Sequence, residues 1–130
     1  MASRKIEDLH PKLQPLALAF KRACRDRGVD VLIYMTYRSC QEQNDLYQQG
    51  RTQKGRIVTN ARGGKSSHNF TIDGKPASLA FDAVPIIQKS CVWDDDFLWD
   101  RMGEAADEVG LKWGGRWKNF KDKPHFYIEP

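Results

Sequence analysis

The segment VDVLIYMTY, residues 29–37, is the feature that most constrains the fold. It is rich in β-branched and aromatic residues, which predicts a buried strand. A helix is predicted just before it, over residues 12–27, because apolar side chains recur there at three-and-four spacing and Gly28 follows as a stop. Strands that do not alternate, mixed with helices of this kind, predict an α+β domain.

Four more elements follow along the chain. They are two predicted helices, residues 40–49 and 94–110, and two predicted strands, residues 79–86 and 125–128. Ser39 and Glu42 form a capping-box pattern in front of the first of these helices. Acidic residues begin the second helix, where the helix dipole favours them, and Gly110 closes it. Pro85 is expected to mark the end of its strand or a sheet edge.

Length and composition exclude several classes of protein. The 130 residues fit one domain, and 40% hydrophobic with 29% charged residues is ordinary for a soluble globular protein. The N-terminus has no apolar stretch, and no apolar run approaches the ~20 residues of a membrane span. We therefore expect synthesis in the cytoplasm, no signal peptide and no membrane span. Three cysteines, Cys24, Cys40 and Cys91, lie far apart and are expected to be free thiols.

The net charge of +4 favours an anionic partner, such as nucleic acid, an acidic envelope polymer or a membrane surface. Residues 51–65 carry five basic residues and no acidic one, which fits either a binding patch or a solvated loop. A non-enzymatic nucleic-acid-binding protein would show salt-sensitive binding and no dependence on zinc. The chain lacks aromatic residues interleaved with basic ones on one strand, which disfavours this hypothesis.

Three histidines are candidates for chemistry. His10 sits at a helix entrance and is expected to make local hydrogen bonds, whereas His68 follows the flexible segment GGKSS and His125 begins the predicted strand 125–128. A catalytic zinc usually keeps three protein ligands, drawn from imidazole and carboxylate, and one position for water. His68, His125 and one aspartate would complete that set, and the spacing alone leaves Asp73 and Asp82 open as the third ligand.

A second carboxylate beside such a site could act as a general base. Asp122 lies three residues before His125 and is the candidate. Histidine and aspartate are common residues, and the chain has no HExxH helix, so these residues alone define a hypothesis and not an assignment.

The motifs SSHN, LAFD, GLKWGGRW and KDKPHF occur in this order, preceded by SRKIEDLHPKLQ and TYRSCQEQNDLYQQGRT. Together they resemble the zinc peptidases of the VanY-type D-alanyl-D-alanine carboxypeptidase family, in particular the bacteriophage endolysin branch of L-alanyl-D-glutamate peptidases. The resemblance covers nearly the whole chain. It implies a small α+β domain with a central antiparallel sheet and flanking helices, as in D-alanyl-D-alanine carboxypeptidases and hedgehog signalling domains.

The resemblance also implies roles for individual residues. His68 matches the first zinc ligand of a Ser-x-His motif, and His125 matches the last ligand of a Pro-His-Phe motif. Asp122 matches the catalytic base. Arg38 matches an arginine that contacts substrate and steadies the oxyanion, for which its two parallel N–H donors are suited.

The zinc aspartate of that family usually follows the histidine by seven residues, where this chain has Lys75. Asp82 lies fourteen residues after His68, but its surroundings, LAFDAVP, match the Ala-x-Asp part of the family motif. We interpret TIDGKPAS as an inserted hairpin, since Asp-Gly favours a type I′ turn. Asp73 then belongs to the turn, and Asp82 is the predicted ligand.

The function implied by the resemblance is zinc-dependent hydrolysis of the peptidoglycan stem peptide at the L-alanyl-D-glutamate bond. The alternative is a D-alanyl-D-alanine carboxypeptidase. We expect a monomeric phage endolysin in which residues 1–130 form one catalytic domain without a separate wall-binding domain. It would be made in the host cytoplasm and act in the periplasm or cell wall. Residues 51–65 could add weak attraction to the anionic envelope.

Overall fold

The computed structural model describes residues 2–119 and 121–129, which form three α-helices, seven β-strands and three short 3-10 turns. The helices are α1 (Leu13–Asp26), α2 (Cys40–Gln48) and α3 (Asp96–Val109). The strands are β1 (Asp30–Met35), β2 (Thr71–Ile72), β3 (Lys75–Pro76), β4 (Ala80–Ile87), β5 (Ser90–Cys91), β6 (Lys112–Trp113) and β7 (His125–Tyr127). The 3-10 turns are Ile6–Asp8, Ser67–Asn69 and Gly114–Arg116. The predicted α+β class is confirmed, although the sequence analysis did not predict β5, β6 or the 3-10 turns.

The helix ends follow from local chemistry. Ser39 Oγ accepts a hydrogen bond from the backbone N–H of Glu42 at 3.0 Å, and the Glu42 carboxylate accepts one from the N–H of Ser39 at 2.9 Å. This is the predicted capping box, and it satisfies two orphan donors at the start of α2. Asp95 caps α3 by accepting from the N–H of Leu98, and Gly110 ends that helix in the left-handed region at φ 86°.

The main sheet is antiparallel in all its pairings, with strand order β1-β4-β7-β6 and β5 paired to the far end of β4. Strand β4 is its centre, because β1 runs along one side of it and β7 and β5 share the other side. Strands β2 and β3 form a separate hairpin ahead of β4. The hairpin is the predicted insertion between His68 and Asp82.

The expectation that Pro85 ends its strand or marks an edge is wrong. Strand β4 continues to Ile87, and Pro85 is paired with Val31 of β1. The Pro85 carbonyl accepts from the N–H of Val92, on the side of β4 away from β1. Since the N and C=O of one strand residue point to the same side, the missing N–H of Pro85 removes no bond to β1.

One face of the sheet forms the hydrophobic core. Phe81 of β4 lies opposite Phe126 of β7, and both rings are fully buried. Phe20 of α1 packs on the pair, with ring centroids 5.5 Å from Phe81 and 4.6 Å from Phe126. Helix α3 covers the same core through Trp99 and Met102. This face is therefore closed by the two long helices.

Successive strand residues point to opposite faces, so the neighbours of Phe81 and Phe126 face the other way. The neighbouring cross-strand pair is Asp82 opposite His125. A carboxylate and an imidazole are thus held side by side on the sheet face that α1 and α3 leave uncovered.

The tryptophans and cysteines divide by location. Trp99 and Trp113 belong to the core, whereas Trp93 is half-exposed. Helix α3 approaches Trp113 closely at Gly103, where a Cβ would lie 2.6 Å from the indole ring. All three cysteines are free, as predicted. Within residues 2–119 and 121–129, none of the helices has both the length and the apolar character needed to cross a bilayer.

Candidate metal centre and active-site cavity

His68, Asp82 and His125 converge, and their possible ligand atoms all lie within 4.8 Å of one another. His68 Nε2 is 3.1 Å from Asp82 Oδ1, and His125 Nδ1 is 3.5 Å from the same oxygen. All three residues are buried, with at most 8% of their surface exposed. The strand register accounts for two of the three, since Asp82 and His125 are cross-strand partners. His68 comes from the 3-10 turn at Ser67–Asn69, which Ser66 caps.

Each imidazole has a polar partner on its outer nitrogen. His68 Nδ1 is 2.8 Å from the backbone carbonyl of Thr36, which can only accept, so Nδ1 carries a proton and Nε2 faces Asp82. His125 Nε2 is 3.3 Å from Ser67 Oγ, which leaves its Nδ1 facing Asp82. Outer partners of this kind orient histidine ligands in metal sites. The donor set of two imidazole nitrogens and one carboxylate therefore fits a divalent metal ion.

The position of Thr36 depends on the N-terminal segment. Its N–H donates to the carbonyl of Ser3 at 2.7 Å, and its Oγ donates to the carbonyl of Lys5 at 2.8 Å. Thr36 is completely buried. The first residues of the chain thus help to hold the carbonyl that orients His68.

The two carboxylates of the site have opposite environments. Burial works against the ionised form of Asp82, but the rings of His68 and His125 outweigh it and hold the pKa of Asp82 below its ordinary value. Burial and the nearby charge of Asp82 raise the pKa of Asp122 above its ordinary value. Two acids with pKa values pushed apart can take different chemical roles in one site.

Asp122 is held on the turn that leads into β7. Its N–H donates to the carbonyl of Gly114 at 3.0 Å, and its own carbonyl accepts from the N–H of His125 at 3.1 Å. A Cβ at Gly114 would lie only 2.5 Å from the Asp122 carbonyl oxygen, so this approach requires glycine. The same backbone turn therefore positions both Asp122 and His125.

Arg38 lies just after the end of β1, and its side chain approaches Asp82. It is 7% exposed, and its Nη2 lies 3.9 Å from Asp82 Oδ2. Burial lowers the pKa of the Arg38 guanidinium, and the charge of Asp82 opposes that shift. The backbone N–H of Arg38 also donates to the carbonyl of His68 at 3.0 Å, which ties the two segments together.

The five residues predicted from the sequence to form the site line one open cavity of about 940 Å³: Arg38, His68, Asp82, Asp122 and His125. Part of the basic segment of residues 51–65, including Lys65, also lines the cavity. Trp117 and Tyr127 line it near His125. A cavity of this size that is open to solvent can admit a segment of a peptide. The arrangement combines a metal-type donor set with a separate carboxylate and a guanidinium.

A family model described as D-alanyl-D-alanine carboxypeptidase matches residues 59–128, more than half of the chain. The chain belongs to this peptidase family. Over 132 aligned residues it is 42% identical to the peptidoglycan L-alanyl-D-glutamate endopeptidase CwlK of Bacillus subtilis strain 168, an alignment that covers 95% of this chain and 75% of that protein.

Solved structures share the fold of the peptidase. The L-Ala D-Glu endopeptidase ChiX of Serratia marcescens superposes with a TM-score of 0.62 at 24% identity, over 99% of this chain and 89% of that one. A variant of the vancomycin-resistance D,D-pentapeptidase VanY, solved in complex with Zn(II), superposes with a TM-score of 0.64 at 14% identity, over 92% of this chain and 72% of that one. At these identities the likeness concerns the fold.

Asp73 lies away from the site of the peptidase. It is exposed at the tip of the β2-β3 hairpin, where Asp73 and Gly74 have φ values of 51° and 77°. Two consecutive positive φ values are those of the predicted type I′ turn. His10 also lies outside the cavity, where its Nδ1 accepts from the N–H of Lys12 at 3.0 Å.

Asn69 is a residue of the site that the sequence analysis missed. Its side chain is buried and donates to the Arg38 carbonyl at 2.7 Å, while its Oδ1 accepts from the N–H groups of Gly64 and Ser66. It thereby joins the His68 turn to the Arg38 segment. The available signal was its position directly after His68 in SSHN, but an asparagine there is equally compatible with an exposed turn.

We predict that Asp82→Ala lowers the affinity of the peptidase for a divalent metal by more than ~100-fold, since loss of an outer partner alone costs ~10–100-fold. Asp73→Ala is the matched control and should retain metal, because its side chain points into solvent at a hairpin tip. Zinc retained after dialysis against a weak chelator measures both. Loss of zinc in the Asp73 variant with retention in the Asp82 variant would reverse the assignment.

Proposed function

We propose that the peptidase hydrolyses the L-alanyl-D-glutamate bond of peptidoglycan stem peptides with one bound zinc ion. The observation that carries this proposal is the buried group His68, Asp82 and His125 in the same open cavity as Arg38 and Asp122. The choice of bond is supported by the 42% identity to an L-alanyl-D-glutamate endopeptidase over 95% of this chain.

Zinc suits the distances from Asp82 Oδ1 to the two imidazole nitrogens. Two ligands at about 2.1 Å from a tetrahedral zinc lie about 3.4 Å apart. The observed separations of 3.1 Å and 3.5 Å from Asp82 Oδ1 to the two imidazole nitrogens are close to that value. When bound, zinc would polarise the scissile carbonyl and lower the pKa of a water molecule towards ~7.

Asp122 would supply the proton transfers. Its carboxylate, on a turn fixed by two backbone hydrogen bonds, accepts a proton from the attacking water and passes it to the nitrogen of the leaving amine. Arg38 would donate N–H groups to the carbonyl oxygen as negative charge develops there. The cavity walls would orient the stem peptide between these two residues.

A D-alanyl-D-alanine carboxypeptidase is the second candidate, because the family model that matches residues 59–128 carries that description. The two activities release different products from the same polymer. Purified peptidoglycan should be incubated with the enzyme, with and without a chelator, and the fragments analysed by mass. We expect new peptides that begin with D-glutamate, and no release when the chelator is present. Free D-alanine as the sole product would identify the carboxypeptidase, and full activity without metal would exclude zinc chemistry.

We expect Asp122→Asn to lower the turnover number by ~10²–10⁴-fold, the usual cost of losing a general base, while zinc content stays at one per chain. The amide keeps the shape of the side chain but cannot accept the proton. Asp73→Asn is the control, because asparagine tolerates the positive φ of the hairpin tip. Near-normal turnover in the Asp122 variant would contradict the assigned mechanism.

A bacteriophage endolysin role is a finer part of the proposal, supported by the resemblance of SRKIEDLHPKLQ and TYRSCQEQNDLYQQGRT to that branch. In this role the enzyme would be made in the cytoplasm and would reach the wall after the cytoplasmic membrane opens. Bacteria that express the chain should keep a constant optical density until chloroform is added and then clear within minutes. Cells that express Asp122→Asn should not clear. Lysis without membrane opening would contradict release of this kind.

A further inference from the structure

Gln43 is a buried polar residue that the mechanism has not used. It lies on α2, is 0% exposed, and is among the largest fully buried side chains in the described part of the chain. Gln41, on the same helix, is exposed, and its side-chain Nε2 donates to Asp45 Oδ1 on the surface. A buried amide is costly unless its donor and acceptor groups are satisfied, so the partners of Gln43 indicate its role.

The two ends of the Gln43 amide reach two parts of the cavity. Its Oε1 accepts from Arg38 Nη1 at 2.7 Å. Its Nε2 donates to the carbonyl of Ala61 at 2.6 Å and to Thr59 Oγ1 at 3.1 Å. The guanidinium can only donate and the Ala61 carbonyl can only accept, so the amide has one possible orientation. Thr59 and Ala61 both line the cavity, so Gln43 links Arg38 to the part of the cavity wall formed by residues 59–61.

Besides Gln43, the Arg38 guanidinium has few strong hydrogen-bond acceptors among the described residues. Its Nε is buried without a hydrogen-bond partner among the described residues, and its Nη2 is 3.9 Å from Asp82, beyond hydrogen-bond range. The other contact of Nη2 is the thioether of Met35, which is a weak acceptor. The direction of the guanidinium therefore depends mainly on the bond to Gln43.

We propose that Gln43 is a positioning residue that holds the Arg38 guanidinium ready for the developing oxyanion and couples it to the wall formed by residues 59–61. The inference rests on the role proposed above for Arg38. A donor that is already aimed at the place where charge develops needs no reorganisation during the reaction, and this is what makes such donors effective. Without Gln43 the guanidinium would keep its charge and lose its fixed direction.

The test compares Gln43→Met with Gln41→Met. Methionine has a similar length and removes both polar ends, whereas the control changes an exposed glutamine on the same helix. We expect kcat to fall at least ~10-fold in Gln43→Met, part of the ~10²–10³-fold that loss of an oxyanion donor costs. KM should change less than ~3-fold, because an interaction made mainly in the transition state affects kcat. Zinc content and the kcat of Gln41→Met should match those of the unsubstituted enzyme.

A double-mutant cycle separates positioning from a structural effect. In an Arg38→Ala background, Gln43→Met should lower kcat by less than ~2-fold, because the residue on which it acts is gone. A purely structural role would give the same fall in both backgrounds, and that result would overturn the inference. An Arg38→Ala variant with full activity would instead contradict the role of Arg38 in the proposed function. The assay uses whichever stem-peptide bond the unsubstituted enzyme cleaves.

A second variant keeps the inference testable should Gln43→Met fail to fold. Gln43→Glu retains an acceptor for Arg38 and loses the donor to Ala61. We expect Gln43→Glu to retain a higher kcat than any apolar substitution of Gln43 that folds. Gln43→Glu should lose more in thermal stability than in kcat. A fall in kcat at least as large as that of Arg38→Ala would count against positioning through the Arg38 bond.

Discussion

The site depends on the antiparallel register between β4 and β7. That register places Phe81 opposite Phe126 on the face packed against Phe20, and Asp82 opposite His125 on the other face. A shift of one residue would turn a carboxylate into the core and a phenyl ring into the cavity. Burial of the aromatic pair therefore stabilises the same pairing that aligns two of the candidate metal ligands.

The third candidate ligand and its neighbours come from segments far apart in the sequence. His68 is oriented by the carbonyl of Thr36, which Ser3 and Lys5 hold in place. Asn69 then ties the His68 turn to Arg38. Buried hydrogen bonds of this kind link the N-terminal segment, the end of β1 and the loop before the hairpin. We infer that the precision of the site depends on the fixed conformation of these loops as much as on the sheet.

Local patterns in the sequence predicted most of the regular elements. The capping box at Ser39, the Asp73-Gly74 hairpin and the glycine stop after α3 are each decided by a few neighbouring residues, and each is confirmed. Pro85 was misjudged because its effect depends on which side of the strand needs a donor. That is a property of the sheet and not of the segment. Strands β5 and β6, with two residues each, are too short to leave a periodic signal.

The sequence alone determined the chemistry available to this protein: the histidines, the aspartates, the arginine after β1 and the inserted hairpin that separates His68 from Asp82. Asp73 and Asp82 are the same kind of side chain; the family motif favoured Asp82, and the tertiary structure places Asp82 beside both histidines. It also decided that Thr36, Gln43 and Asn69 support the site. Their burial arises from contacts between residues distant in the chain, and no local pattern of residues encodes those contacts.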